Sequence, residues 1–171
     1  MKKMNVRLLT QLAMLIALQF VLSKFCSIST DSIRIGFGFV PMVVCGVLYG
    51  PGWTALAYVV ADVLGGLLIY GSVNPFITLS VAVCGLGYGF FLHKPGAKTF
   101  PHALGAALVS LFCTMVITTW ALSMMYTTNF WAQFIMRLPQ GAAMFAAEMV
   151  VIPILMQLCR SLRKNGLVAS V

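Results

Sequence analysis

The sequence predicts an all-α fold, an integral membrane bundle of six transmembrane helices with both termini cytoplasmic. Three observations carry this. Hydrophobic residues make up 61% of the 171-residue chain and charged residues only 8%, against about 25% charged in an ordinary soluble domain. Too little charge is present to cover a water-facing surface. The apolar residues gather in six runs separated by charged or Gly/Pro-rich breaks, and at about 20 residues per crossing a chain of this length has room for six. The eleven Lys and Arg residues fall unevenly on the two sides that those runs define, as the positive-inside rule requires of a polytopic protein.

Taken in order, the expected spans are 8–26, 35–49, 53–70, 76–92, 103–126 and 131–158, forming a single domain over 1–171. The first closes at Lys24 and the polar run Ser27 to Ser32. It is retained as a span, because its apolar stretch is long and no A-x-A cleavage site follows. The second ends at Gly50-Pro51-Gly52, the third at the turn Gly71 to Pro75, and the fourth at the hydrophilic stretch His93 to His102. The sixth holds Arg137, Glu148 and Pro153 within it. Barrel strands would be about ten residues of alternating polarity; these runs are longer and apolar on all sides, and in lipid a helix satisfies its own backbone groups. The second run is short for a crossing and contains Gly36, Gly38, Pro41 and Gly46. An irregular start bordering a cavity is expected there, since non-helical backbone at membrane depth is tolerated only where it is buried in protein or lines a cavity. A short, kinked packing helix is the alternative.

Six spans place Lys2, Lys3, Arg7, Arg160, Arg163 and Lys164 on one side, with Lys94 and Lys98 of the loop after the fourth span. Lys24, Arg34 and Arg137 fall on the other. Eight against three makes the termini cytoplasmic. The net charge of +8 is therefore a record of topology, and nucleic acid is not an expected partner.

Enzymatic constellations are missing from the sequence. Cys26, Cys45, Cys84, Cys113 and Cys159 show no CxxC spacing and read as small apolar fillers. Gly96-Ala97-Lys98-Thr99 lacks the glycines of a phosphate-binding loop, so no ATP hydrolysis is expected in this chain. There is no HExxH and no GxSxG. Gly85-Leu86-Gly87-Tyr88-Gly89 reads as a close-packing glycine face. No metal site and no cofactor are expected.

What remains is a small set of polar residues in apolar surroundings, where each ionisable group costs about 2.5–3.5 kcal/mol at a span centre and is a functional candidate for that reason. Arg34 and Arg137 lie toward the outer side, with Asp62 deeper in the third run. Arginine offers carboxylates a planar two-pronged fork, and a deep aspartate suits a heterocycle with N–H donors. Asn74 and Thr78 add neutral hydrogen-bonding groups; Trp120 and Phe37 are candidates for stacking. Each has a plainer reading: snorkelling for Lys24, Arg34 and Arg137, an internal ion-pair or helix-packing partner for Asp62, belt or core aromatics for Trp120 and Phe37. Glu148 is read as structural or interfacial. Ala13 and Ala17 form a small-xxx-small face that admits a neighbouring helix or packs within the bundle.

The stretch Arg34-Ile-Gly-Phe-Gly-Phe-Val-Pro41, followed by Gly46-Val-Leu-Tyr-Gly-Pro51-Gly-Trp53, resembles the substrate-binding S components of energy-coupling factor (ECF) vitamin transporters. Asp62, the turn Asn74-Pro-Phe-Ile-Thr-Leu-Ser80, Gly85-Leu-Gly-Tyr-Gly-Phe-Phe91, and Phe130-Trp-Ala with Arg137-Leu-Pro139 are most similar to the folate-specific branch. The resemblance covers nearly the whole chain. It implies a high-affinity folate-binding subunit of a prokaryotic plasma membrane that captures its ligand from outside. It further implies a membrane scaffold subunit and two ATPase subunits as partners, which use ATP. Ala13 and Ala17 then match the family's alanine-rich helix face toward the scaffold. Arg34 and Arg137 would hold the glutamate carboxylates, and Asp62, Asn74 and Thr78 would favour the pterin, with Trp120 or Phe37 stacking. An S component for another vitamin (pantothenate, thiamine, riboflavin, biotin or a queuosine precursor), a small membrane-embedded enzyme and a structural factor are the alternative readings.

Overall fold

The computed structural model describes residues 6–24, 27–29, 34–71, 73–93, 99–127 and 129–164. The expectations placed on Lys2, Lys3, Cys26, Asp31, Lys94 and Lys98, and on the side chains of Arg7, Lys24, Arg34, Arg163 and Lys164, fall outside the described residues. The elements run α1 (Val6–Lys24), β1 (Ser27–Ser29), β2 (Arg34–Gly36), α2 (Phe39–Tyr49), α3 (Pro51–Gly65) with a π-helical continuation Gly66–Tyr70, α4 (Pro75–Leu92), α5 (Thr99–Phe112) with a π-helical continuation Cys113–Thr118, α6 (Thr119–Tyr126) and α7 (Phe130–Lys164). Because α5, its π segment and α6 are continuous, the described residues contain six helical rods.

Two three-residue strands add a local ribbon to the expected all-α bundle. Arg34–Gly36, expected at the start of the second helix, is extended and pairs antiparallel with Ser27–Ser29, with Ser27 opposite Gly36, Ile28 opposite Ile35 and Ser29 opposite Arg34. The physical reason is local. Gly36 and Gly38 weaken helix formation, and a strand partner satisfies backbone groups that an irregular chain would leave unpaired. Helix α2 follows only at Phe39 and is 11 residues long, about 16 Å of rise, roughly half of a hydrocarbon core. The irregular start expected of the second run is thus present. Nine of the residues of α2 are buried, among them Met42, Val43 and Cys45 at 0% exposure, which makes this short helix the centre of the bundle.

Pro51–Leu68, Pro75–Leu92, Thr99–Met125 and Phe130–Ser161 are long and apolar enough to cross a bilayer; Leu8–Ser23 and Phe39–Tyr49 are shorter apolar helices. Leu68, Phe90, Trp131, Val150 and Ile154 are all more than half exposed. An apolar surface of that extent is stable against lipid and not against water. Helix α7 has 35 residues, about 52 Å, and continues beyond the expected 131–158. It runs through Pro139 and Pro153, each of which removes one backbone N–H from the helical ladder.

Turns are set by proline, glycine and one asparagine. Gly50 has φ +83°, and Pro51 opens α3 with its φ already helical. Asn74 caps α4, its Oδ1 accepting from the Phe76 N–H at 3.0 Å, with Pro75 in the first turn. Between α3 and α4 the backbones come into near contact. A Cβ on Gly85 would sit 2.8 Å from the Cα of Ala55, and one on Gly89 would overlap Pro51. The two glycines are four residues apart, one above the other on the same helix face. Gly89→Ala is expected to destabilise the protein by about 1–3 kcal/mol, the usual cost of overpacking a core, read as a lower midpoint of thermal unfolding in detergent. An unchanged midpoint would refute the close contact.

Candidate functional site

A cavity of about 240 Å³ lies inside the bundle. Its walls come from the end of α1 (Gln19, Ser23), from Gly36, Gly38 and Phe39 at the irregular start of α2, from α3 (Tyr58, Ala61, Asp62) and from α4 (Ile77, Ser80, Val81, Cys84). Ser110, Leu111, Cys113, Thr114 and Thr118 of α5 and its π segment, and one stripe of α7, complete it. That stripe is Arg137, Gln140, Gly141, Met144, Phe145 and Glu148, at the 3–4 residue spacing that keeps residues on one helix face.

Arg137 is the cation of the site. It is 4% exposed, its Nε donates to Gln140 Oε1 and its Nη1 to Thr119 Oγ1, both at 3.3 Å. Guanidinium carries five N–H donors. The rest of its fork is uncommitted among the described residues, and no carboxylate there pairs with it. The placement depends on the π-helical segment. A π turn shifts the backbone from i→i+4 to i→i+5 pairing and exposes carbonyls to side chains: Thr119 Oγ1 donates to Thr114 O at 3.3 Å, and Cys113 O accepts from Ser80 Oγ at 3.0 Å and Thr118 Oγ1 at 3.2 Å. Thr119 is thereby fixed as an anchor for the guanidinium.

On the opposite wall Asp62 lines the cavity and accepts from Thr78 Oγ1 at 2.9 Å. Thr78 lies one turn into α4, below the Asn74 cap. Deeper along α7, Glu148 is 2% exposed, and its Oε1 accepts from Tyr88 at 2.9 Å and Ser110 at 2.7 Å.

The structure therefore brings Arg137 and Asp62 to one chamber; Thr78 is not among the lining residues and bears on the site through its hydrogen bond to Asp62. Arg34 belongs to β2, two residues from the cavity-lining Gly36. Asn74 stands at the head of α4, its Nδ2 near Met125 Sδ at 3.8 Å. Phe37 and Trp120 are not among the cavity-lining residues. Phe37 is 54% exposed, and Trp120 packs edge-on against Phe76 with ring centroids 5.3 Å apart. The aromatic rings of the wall are Phe39, Tyr58 and Phe145. Ala13 and Ala17 face outward from α1, beside exposed Met14 and Leu18, while Leu8 and Leu12 turn into the core. Sequence reasoning missed Tyr58, Ser80, Ser110 and Gln140, and left Glu148 outside the site. The available signal was the spacing 137, 140, 148 of polar residues on one face of an apolar helix.

Among the described residues no group of three His, Cys, Asp or Glu side chains could hold a metal ion, and Cys45, Cys84, Cys113 and Cys159 are buried free thiols. A helical membrane bundle holding a cavity of apolar walls and a few buried polar groups defines a membrane-embedded binding protein. Residues 7–156 match the family described as ECF transporter, substrate-specific component. The chain is 31% identical to the folate transporter FolT of Clostridium novyi (strain NT) over 153 residues, covering 89% of this chain and 88% of that one. It is likewise 31% identical to FolT of Streptococcus mutans serotype c over 141 residues, 77% of this chain and 75% of that one. A crystal structure of FolT bound with folic acid superposes with a TM-score of 0.83 at 28% identity, covering 90% of this chain and 94% of that one. The chain belongs to the substrate-specific components of ECF transporters, a family of transporter subunits and not of enzymes.

Proposed function

We propose that this chain is the folate-binding subunit of an ECF-type importer. It captures folate from outside the cell and passes it inward through a separate scaffold subunit and two ATPase subunits, which consume ATP. In this reading residues 1–171 form one domain that crosses a prokaryotic plasma membrane six times, with both termini cytoplasmic. Arg137 is the observation that carries the ligand class: a guanidinium this deeply buried, with no carboxylate partner among the described residues and spare donors, is costly unless an anion completes it. The two carboxylates of folate's glutamate supply that anion, with Arg34 as the second cation from the strand above the cavity. Asp62, held by Thr78, offers an acceptor to N–H groups of the ligand, and Asn74 orders the turn from which Thr78 descends. Phe39, Tyr58 and Phe145 form the apolar wall, with Phe37 and Trp120 flanking from outside the lining. The FolT relatives and the folic-acid-bound FolT structure support the same ligand.

Titration of the purified protein with a vitamin panel tests this. Folic acid is expected to raise the midpoint of thermal unfolding, because a ligand that binds only the folded state stabilises it. Pantothenate, thiamine, riboflavin and biotin are expected to leave it unchanged. A shift with one of these and none with folic acid would sink the folate reading.

A further inference from the structure

Glu148 has one side-chain oxygen accounted for and one not. Its Oε1 takes both hydroxyl donors, Tyr88 and Ser110, and these lock its rotamer. Its Oε2 is buried without a hydrogen-bond partner among the described residues, in a side chain that lines the cavity and is 2% exposed. A structural carboxyl held by two hydroxyls needs only the first oxygen. Leaving the second unpaired in an apolar interior is unfavourable, and native structures seldom leave such an atom unsatisfied.

The position gives that oxygen a partner. Glu148 and Arg137 lie on the same face of α7, eleven residues apart, about 16 Å along the axis. The chamber is therefore polar at both ends, cationic at one and carboxylic at the other. The walls between are partly aromatic: Phe145 stands one turn from Glu148, and Tyr58 meets Tyr88 edge-on at 6.4 Å. An elongated ligand with an anion at one end and a flat N–H-bearing ring at the other matches this axis. Asp62 competes poorly for the ring. It already accepts from Thr78 and is only partly buried, so water can satisfy it, whereas Glu148 depends on a guest.

We propose that Glu148 is a specificity-determining residue of this site, its Oε2 accepting N–H donors from the 2-amino edge of the ligand's pteridine ring. The assignment rests on the folate reading above and adds the residue that distinguishes a 2-amino pteridine from its 2-oxo counterpart.

Affinities of wild type, Glu148→Gln and Asp62→Asn for folic acid and for p-aminobenzoyl-glutamate, which lacks the pteridine, test it by calorimetry. Glu148→Gln keeps the shape and an acceptor for Tyr88 and Ser110 and presents an amide in place of the second oxygen. It is expected to weaken folic acid about ten- to a hundredfold, as for a hydrogen bond to a charged group, and to leave p-aminobenzoyl-glutamate unchanged. Asp62→Asn is expected to weaken folic acid less. Equal affinity of Glu148→Gln and wild type for folic acid overturns the proposal. So does a parallel loss for both ligands, which marks Glu148 as a structural support. Should Glu148→Gln not fold, wild-type protein decides: an analogue of folic acid with oxygen in place of the 2-amino group is expected to bind at least about tenfold more weakly, and equal binding overturns the assignment. Failure of wild type to bind folic acid at all refutes the folate reading itself, a result separable from every variant outcome.

Discussion

Arg137→Ala is expected to weaken folate binding by about 3 kcal/mol, on the order of a hundredfold, the scale for removing one partner of a buried charge pair. The loss should depend on the ligand's carboxylates. The methylamide of pteroic acid, which has the pteridine and the benzoyl ring and no carboxylate, is expected to bind Arg137→Ala and wild type with similar affinity. Arg137→Lys restores charge without the planar fork and cannot hold Gln140 and Thr119 as guanidinium does, so only part of the affinity should return. Calorimetry on the purified protein reads all of these. A variant that binds folate as tightly as wild type would remove Arg137 from the site, and an equal loss for the pteroic acid methylamide would show that it supports the cavity wall and does not touch the glutamate.

A second large effect belongs to the outer face of α1. Ala13 and Ala17 face outward and leave a shallow strip between Met14 and Leu18. Small residues in such a strip let another helix approach closely, as a scaffold subunit would. Introducing Trp at both positions is expected to reduce folate uptake in whole cells at least about tenfold by blocking that approach. Folate affinity of the isolated subunit should stay within about twofold, because neither side chain reaches the cavity or the core. Pull-down of the scaffold with the tagged subunit separates the two readouts. Wild-type uptake by the double variant would move the interface elsewhere.

Most of the bundle was legible because lipid simplifies the code. A chain with so few charges announces its crossings by length alone, and the Gly/Pro-rich breaks at 50–52 and 71–75 end helices where the structure ends them. Separation along a helix was legible too, since distance along a helix is a matter of counting. Rotation was harder. Trp120 packs on Phe76 and Phe37 faces outward; in an apolar chain every face is hydrophobic and no amphipathic stripe marks the inside. Glu148 could have been phased against Arg137 by helical spacing, but the partners that hold it, Tyr88 and Ser110, are 60 and 38 residues away, and no local pattern reveals them. The π-helical segment at Cys113–Thr118 and the β1–β2 ribbon were invisible for a different reason. Both are choices among backbone hydrogen-bonding partners, decided by the neighbours that accept the displaced groups.

The near contact of α3 and α4 at Gly85 and Gly89 has a consequence for how this cavity can change over evolutionary time. With no side chain between the backbones of these two helices, there is nothing at the seam to trim or enlarge. The wall that carries Tyr58, Asp62, Ser80 and Cys84 is held at a fixed gauge. A wider or narrower cavity is reached through other walls, above all the stripe of α7, where Arg137, Gln140, Met144, Phe145 and Glu148 stand on one rod and can be exchanged individually. The glycine seam is in this sense the fixed jaw of a vice, and α7 the jaw that selection is free to move.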